Sequence, residues 1–250
     1  MSVAPEGVLV SEIDLSADWR VGRGLNGGYV AGVLLAAMHD VVADPARPAR
    51  SLTVHYLRPA APGAARLETR LERPGRSLSA LSCRLVQGGS TAALALAAFS
   101  AERPGPAWQD LARPDAPSPE ALASSSRQFG FTRNWDARPV VGAPPLSGAP
   151  TALSGGWLRA LTDTFAGAPL LAAMADSWMP AAVARLSERP GFLPTIDLTV
   201  HFHAELPVGG WAFVLFRSDL AGGGQWEEDG TIWSPEGRVL ARSRQLALFV

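Results

Sequence analysis

Leu52-Thr53-Val54-His55-Tyr56 returns 146 residues later as Leu198-Thr199-Val200-His201-Phe202. Two further matches flank it. Leu25-Asn26-Gly27-Gly28-Tyr29 returns as Leu153-Ser154-Gly155-Gly156-Trp157, and the runs that close the two parts end in Phe99 and Phe249. Each match is short, but all three keep one order, which marks a tandem duplication. Their spacings imply one insertion in the second part, between Asp163 and Thr195.

Apolar periodicity around the repeat gives the elements. Ile196, Leu198, Val200 and Phe202 alternate with Asp197, Thr199, His201 and His203, the pattern of a strand with one buried face. In the first part Asn26 is a good N-cap, and Tyr29 to Val42 is apolar nearly all round, which predicts a buried helix. A strand is expected before it at Val8 to Leu15, and four after it at Ser51 to Arg58, Ala65 to Arg73, Arg76 to Gln87 and Thr91 to Ala101. In the second part the repeat places a helix over Gly156 to Phe165. Strands follow at Thr195 to Ala204, Trp211 to Ser218, Gln225 to Trp233 and Arg238 to Val250.

One strand, a buried helix and a meander of strands make an α+β unit in which an antiparallel sheet wraps a central helix. This is the hotdog arrangement, expected here twice, as a tandem (double) hotdog. Residues 1–103 form the first and 151–250 the second. Nine of the 21 prolines fall between Glu102 and Pro150, so 104–150 reads as a connection, with a short strand near Phe129 to Trp135.

Composition narrows the function classes. With 47% apolar and 18% charged residues in 250, the chain is not disordered. Its net charge is −1 and all 22 basic residues are arginine, which implies no face basic enough for nucleic acid. A single cysteine, Cys83, excludes an internal disulfide framework and a thiolate metal cluster, and fits a reducing cytoplasm. Met1 to Val10 lacks the basic start of a signal peptide. Val140 to Leu158 is uncharged but full of glycine and proline, so no membrane span is expected. Gly22-Arg23-Gly24-Leu25-Asn26-Gly27 spells G-x-G-x-x-G, but strands follow it where a dinucleotide site needs a βαβ unit.

The chain resembles the double-hotdog acyl-CoA thioesterases of the thioesterase II type. The resemblance rests on Asn26-Gly27-Gly28-Tyr29-Val30, Ser51 to Pro59, Gly75-Arg76-Ser77, Leu161-Thr162-Asp163, Pro194 to Asp197, His201-Phe202-His203 and Ser243-Arg244-Gln245. It implies hydrolysis of an acyl-CoA to free acid and CoA, with lipid metabolism as its setting. It also implies that an Asp on the second-half helix, a Thr or Ser opening the next long strand and a Gln on the last strand hold the water. Those places fall to Asp163, Thr195 and Gln245. Such chemistry needs no metal and no cofactor. Backbone N–H groups at a glycine-rich helix start can take the oxyanion, which makes Gly28, Tyr29 and Gly156 candidates.

The repeat gives an independent test. Carried back into the first part, the three polar candidates meet Leu35, Ala49 and Ala95. One copy keeps plain packing where the other has hydrogen-bonding groups. Gln245 shares strand parity with Ala241, Ser243 and Ala247, so it is expected to point inward, where an amide needs partners. Three other readings stand beside this. Asp163 can be a surface ion-pair partner of Arg159. A double-hotdog enoyl-CoA hydratase is a rival enzyme, whose Asp–His pair would have only His39-Asp40, poorly placed at the helix end, and a non-catalytic acyl-CoA-binding module is a third. Asp197, His201 and His203 share a strand face and could ligate a metal, although such faces are more often solvated. Trp211, Trp226 and Trp233, expected on the outer face, suggest a homodimer of double hotdogs.

Overall fold

The halves meet through the two strands that carry the repeat. A computed structural model describes residues 2–3, 7–75, 77–125 and 130–250, so Arg76 and Phe129, which the expected elements included, lie outside the described residues. The first half contains β1 (Val8–Leu15), α1 (Gly27–Val42), β2 (Ala49–Tyr56), β3 (Gly63–Arg73), β4 (Ser79–Gln87) and β5 (Ser90–Phe99). The second contains β6 (Trp135–Gly142), β7 (Ala152–Ala160), α2 (Gly167–Met174), β8 (Thr195–Phe202), β9 (Ala212–Ser218), β10 (Gln225–Trp233) and β11 (Val239–Leu248). One antiparallel sheet runs β1-β3-β4-β5-β2-β8-β11-β10-β9-β7-β6. The order of the first five strands is mirrored by the next five, as two hotdogs joined edge to edge require.

At the join, Leu52 pairs with Val200, Thr53 with Thr199 and Val54 with Leu198. The duplication extends to irregularities: β2 carries a bulge between Ala49 and Ser51, and β8 carries one between Thr195 and Asp197. The first half-sheet wraps α1, whose Ala31, Leu34, Leu35 and Met38 are fully buried. The helical layer of the second half is divided. α2 lies on α1 and β8, while a 3-10 turn, Ala181–Arg185, packs on β7, β9 and β10.

The expected helix over Gly156 to Phe165 is corrected: Ala152–Ala160 is strand β7. Gly155 and Gly156 do not open a helix. They flank a bulge where neighbouring strands come so close that a Cβ would meet the Val214 and Arg138 carbonyl oxygens. The helix lies further on, and its N-cap position is Ala166, with no side-chain cap, so no capping signal announced it.

The proline-rich connection is part of the second half's outer surface. The Gln109 amide donates to the Gly237 carbonyl and accepts from the Val239 N–H, each at 2.8 Å. The indoles of Trp157 and Trp233 donate to the carbonyls of Pro117 and Leu111. The Arg113 guanidinium lies 5.0 Å from the Trp157 ring centre. Trp233 is therefore 3% exposed and Trp226, packed on Ala182, Ala247 and Phe249, only 1%. The Arg138 and Arg159 guanidinium groups lie 4.8 and 4.5 Å from the Trp211 ring centre. Of the tryptophans that suggested a homodimer, Trp226 and Trp233 are covered by their own chain and Trp211 is half-buried. No described helix is long and apolar enough to cross a membrane.

Candidate active site

Thr195 opens β8 at its bulge, and Gln245 faces Leu198 across the β8–β11 ladder. Gln245 points inward as its parity requires and is buried. The Thr195 hydroxyl donates to Gln245 Oε1 at 3.1 Å, and Gln245 Nε2 donates to Glu228 Oε1 at 2.8 Å. Glu228 Oε2 accepts in turn from the Ala181 N–H at 2.6 Å. These bonds form one chain across β8, β11, β10 and the 3-10 turn. Burial pushes the Glu228 carboxyl up to about 8, although both N–H bonds pull the other way.

A second carboxyl approaches from the end of α2. Asp176 follows the apolar run Leu170–Ala175 and meets the start of α1. Its Oδ2 accepts from the Gly28 N–H at 2.9 Å and from Asn26 Nδ2 at 3.3 Å, while its backbone carbonyl accepts from the same Asn26 nitrogen at 2.7 Å. Asn26 is also the N-cap of α1, accepting from the Tyr29 N–H at 3.0 Å. Burial raises the Asp176 carboxyl to about 6, against the pull of the Gly28 and Gly27 N–H groups. Its negative charge is one of the influences that raise Glu228. The Tyr56 hydroxyl donates to the Gly27 carbonyl at 2.8 Å, and burial together with the Asp176 charge keeps that phenol protonated.

The glycines of α1 admit this arrangement. A Cβ on Gly28 would lie 2.5 Å from the Ala173 carbonyl oxygen, one on Gly27 2.8 Å from Asp176 Oδ2, and one on Gly32 2.8 Å from the Phe165 ring. They let α1 and α2 touch and bring the α1 N-terminus onto Asp176.

The structure joins two of the three expected water-holding residues and separates the third. Asp163 is exposed on the loop between β7 and α2, not on a helix, and among the described residues its side chain makes no hydrogen bond or ion pair. Its expected partner Arg159 pairs instead with Asp136 at 3.2 Å. Of the oxyanion candidates, the N–H of Gly28 is engaged by Asp176 and that of Tyr29 by Asn26, while Gly156 is inside β7. The first-half counterpart of Gln245 is Ala97 and not Ala95, because Ala97 faces Leu52 as Gln245 faces Leu198. Among the described residues no group of three or more His, Cys, Asp or Glu side chains is arranged for a metal ion.

Asp176 and Glu228 were missed. Glu228 was open to discovery, since it shares strand parity with the buried Trp226 and Ile232. Asp176 had a weaker signal, an acid directly after an apolar run within the insertion.

Residues 110–249 match the model of an acyl-CoA thioesterase C-terminal domain, and residues 15–100 that of the N-terminal domain. The chain is 25% identical to an uncharacterised protein of Mycobacterium tuberculosis over 96% of this chain and 90% of that protein. It is similar to the crystal structure of an acyl-CoA thioesterase II from Mycobacterium marinum, with TM-score 0.79 and 26% identity over 96% of this chain and 93% of the other. A hot dog fold protein of unknown function from Alicyclobacillus acidocaldarius superposes with TM-score 0.85 at 21% identity, covering 100% of this chain and 96% of that one.

Proposed function

The chain belongs to the acyl-CoA thioesterase family, and from that premise we propose that it hydrolyses an acyl-CoA thioester with water activated by Asp176. The observation that carries this reading is the Asp176 carboxyl, raised to about 6 and held against the first turn of α1 by Gly28 and Asn26. A carboxyl of that acidity is ionised at neutral pH yet basic enough to take a proton from water.

Thr195 and Gln245 are the groups proposed to fix that water, because a hydroxyl and an amide each offer both a donor and an acceptor. The water gives one proton to Asp176, and its oxygen attacks the thioester carbonyl carbon. The tetrahedral intermediate then expels the CoA sulfur, which takes the proton back from Asp176. The products are the free acid and CoA, and the step needs no covalent enzyme intermediate. The hydratase reading has less support. His39 lies at the far end of α1 with its ring against Phe99, away from Asp176.

The experiment is thiol release over short, medium, long and aromatic acyl-CoAs with the wild type and Asp176→Asn. Turnover that collapses in the variant supports the reading. Tight binding without turnover by the wild type points to a binding module.

A further inference from the structure

We propose that Glu228 is a positioning residue that selects, by gaining or losing a proton, which end of the Gln245 amide faces Thr195. The inference rests on the thioesterase reading for its consequence in catalysis, but its core is the chain Thr195–Gln245–Glu228–Ala181.

Donor and acceptor counting gives two arrangements of this chain. In the structure both Glu228 oxygens accept, one from Gln245 Nε2 and one from the Ala181 N–H, as an ionised carboxylate does. Gln245 Oε1 then faces Thr195 and takes its hydroxyl hydrogen. The Thr195 oxygen keeps its lone pairs and can accept from a water that is giving its other proton to Asp176. When Glu228 is protonated, the oxygen toward Ala181 must still accept, so the hydrogen sits on the oxygen toward Gln245. That oxygen becomes a donor, and the amide must turn its own oxygen toward it. Gln245 Nε2 now donates to Thr195, whose hydroxyl hydrogen is released toward the water and competes for the lone pair that attacks. The ionised arrangement is therefore the productive one.

The surroundings put this switch in an accessible range. Glu228 is 3% exposed and burial raises it to about 8, helped by the charges of Asp176 and of Asp229 beside it in the chain. Among the described residues no cation pairs with Glu228 itself, although Arg244 reaches Asp229 at 3.8 Å. On β11, Arg244 lies on the outer face, paired with Glu227. On β9, Arg217 is exposed and paired with Asp219, and on the 3-10 turn Arg185 is exposed. A glutamine at 228 would keep its oxygen on the Ala181 N–H and point its nitrogen at Gln245, which locks the arrangement of the protonated acid.

The test has two arms. In the first, kcat and KM are followed from pH 5 to 9 for wild type and Glu228→Gln. The wild type is expected to show a second rise in kcat near the Glu228 titration, above the one due to Asp176. Glu228→Gln is expected to lose that second rise and about tenfold in kcat at high pH, with KM little changed. In the second, the Gln245 side-chain amide signals are followed by 15N NMR in the wild-type chain, assigned with Gln245→Ala. They are expected to shift with the carboxyl infrared band that Glu228→Gln removes. If the amide signals stay fixed while that band titrates, or if the two kcat profiles superpose, the proposal is overturned. A chain that cleaves no thioester overturns the thioesterase reading alone, and the NMR arm still decides the switch. The band is assigned equally by its displacement in Glu228→Asp, so that arm decides the matter even if Glu228→Gln fails to fold.

Discussion

The hydroxyl oxygens of Thr53 and Thr199, 146 residues apart, lie 3.0 Å from one another across the join of the two halves. They are equivalent residues of the duplicated segment, paired directly in the β2–β8 ladder. The approximate twofold relation between the hotdogs passes between them.

This pair gives a test of the join. Thr199→Val leaves the Thr53 hydroxyl half-buried without its partner and is expected to cost about 0.5–1.5 kcal/mol. Adding Thr53→Val should recover part of that loss, because no orphaned hydroxyl remains. Denaturant melts of the two single variants and the double variant measure the coupling, and strict additivity would contradict it.

Asp176→Asn keeps the shape of the side chain and removes the proposed base. Turnover is expected to fall by about 10²–10⁴ with the fold retained. Asp163→Asn, on an exposed loop, should leave the rate unchanged. Thiol-release rates, with circular dichroism to check folding, separate the two aspartates. The reverse result would restore Asp163 as the base.

Gly28→Ala drives a methyl group to 2.5 Å from the Ala173 carbonyl oxygen. The helices must part, at an expected cost of about 1–3 kcal/mol. The same displacement moves the Gly28 N–H off Asp176, so activity should fall together with stability. Equal melting temperatures for variant and wild type would show that the helix contact is looser than the structure has it.

Asp176 and Glu228 also make stability depend on pH. Both carboxyls are raised in the folded chain, to about 6 and about 8, so the folded chain holds these protons more tightly than the unfolded one. Their contribution is fully present below the ordinary carboxylate range and is lost as pH rises through those values. The melting temperature is expected to fall between pH 5 and 9, and the upper part of that fall should vanish in Glu228→Gln. Activity should move the other way at the acid end, rising through about pH 6 as Asp176 ionises. Melting scans at constant ionic strength check the first, and pH–rate profiles the second.

The elements of the first half were legible in sequence because each pattern had one cause. α1 has an asparagine cap and an apolar surface, and β1 starts and stops where its alternation does. The second half was harder at β7, whose outward Trp157 is buried by the connection while Leu158 is buried against the core. A strand covered on both faces loses the alternation that identifies it.

Thr195 and Gln245, which the structure brings together, were candidates from parity, from the contrast with alanines in the other copy and from the family resemblance. The proposed base was not. Choosing Asp176 over Asp163 depends on which aspartate meets the start of a helix some 150 residues earlier in the chain. What the sequence by itself determined was the duplicated hotdog, the repeated strand and the inward face of β11, because these follow from local periodicity and from comparing the chain with itself. What only the tertiary structure decided was the meeting of α1 with the end of α2, and of β10 with β11. Burial there is a property of several distant segments at once, and it is burial that raises the carboxyls of Asp176 and Glu228.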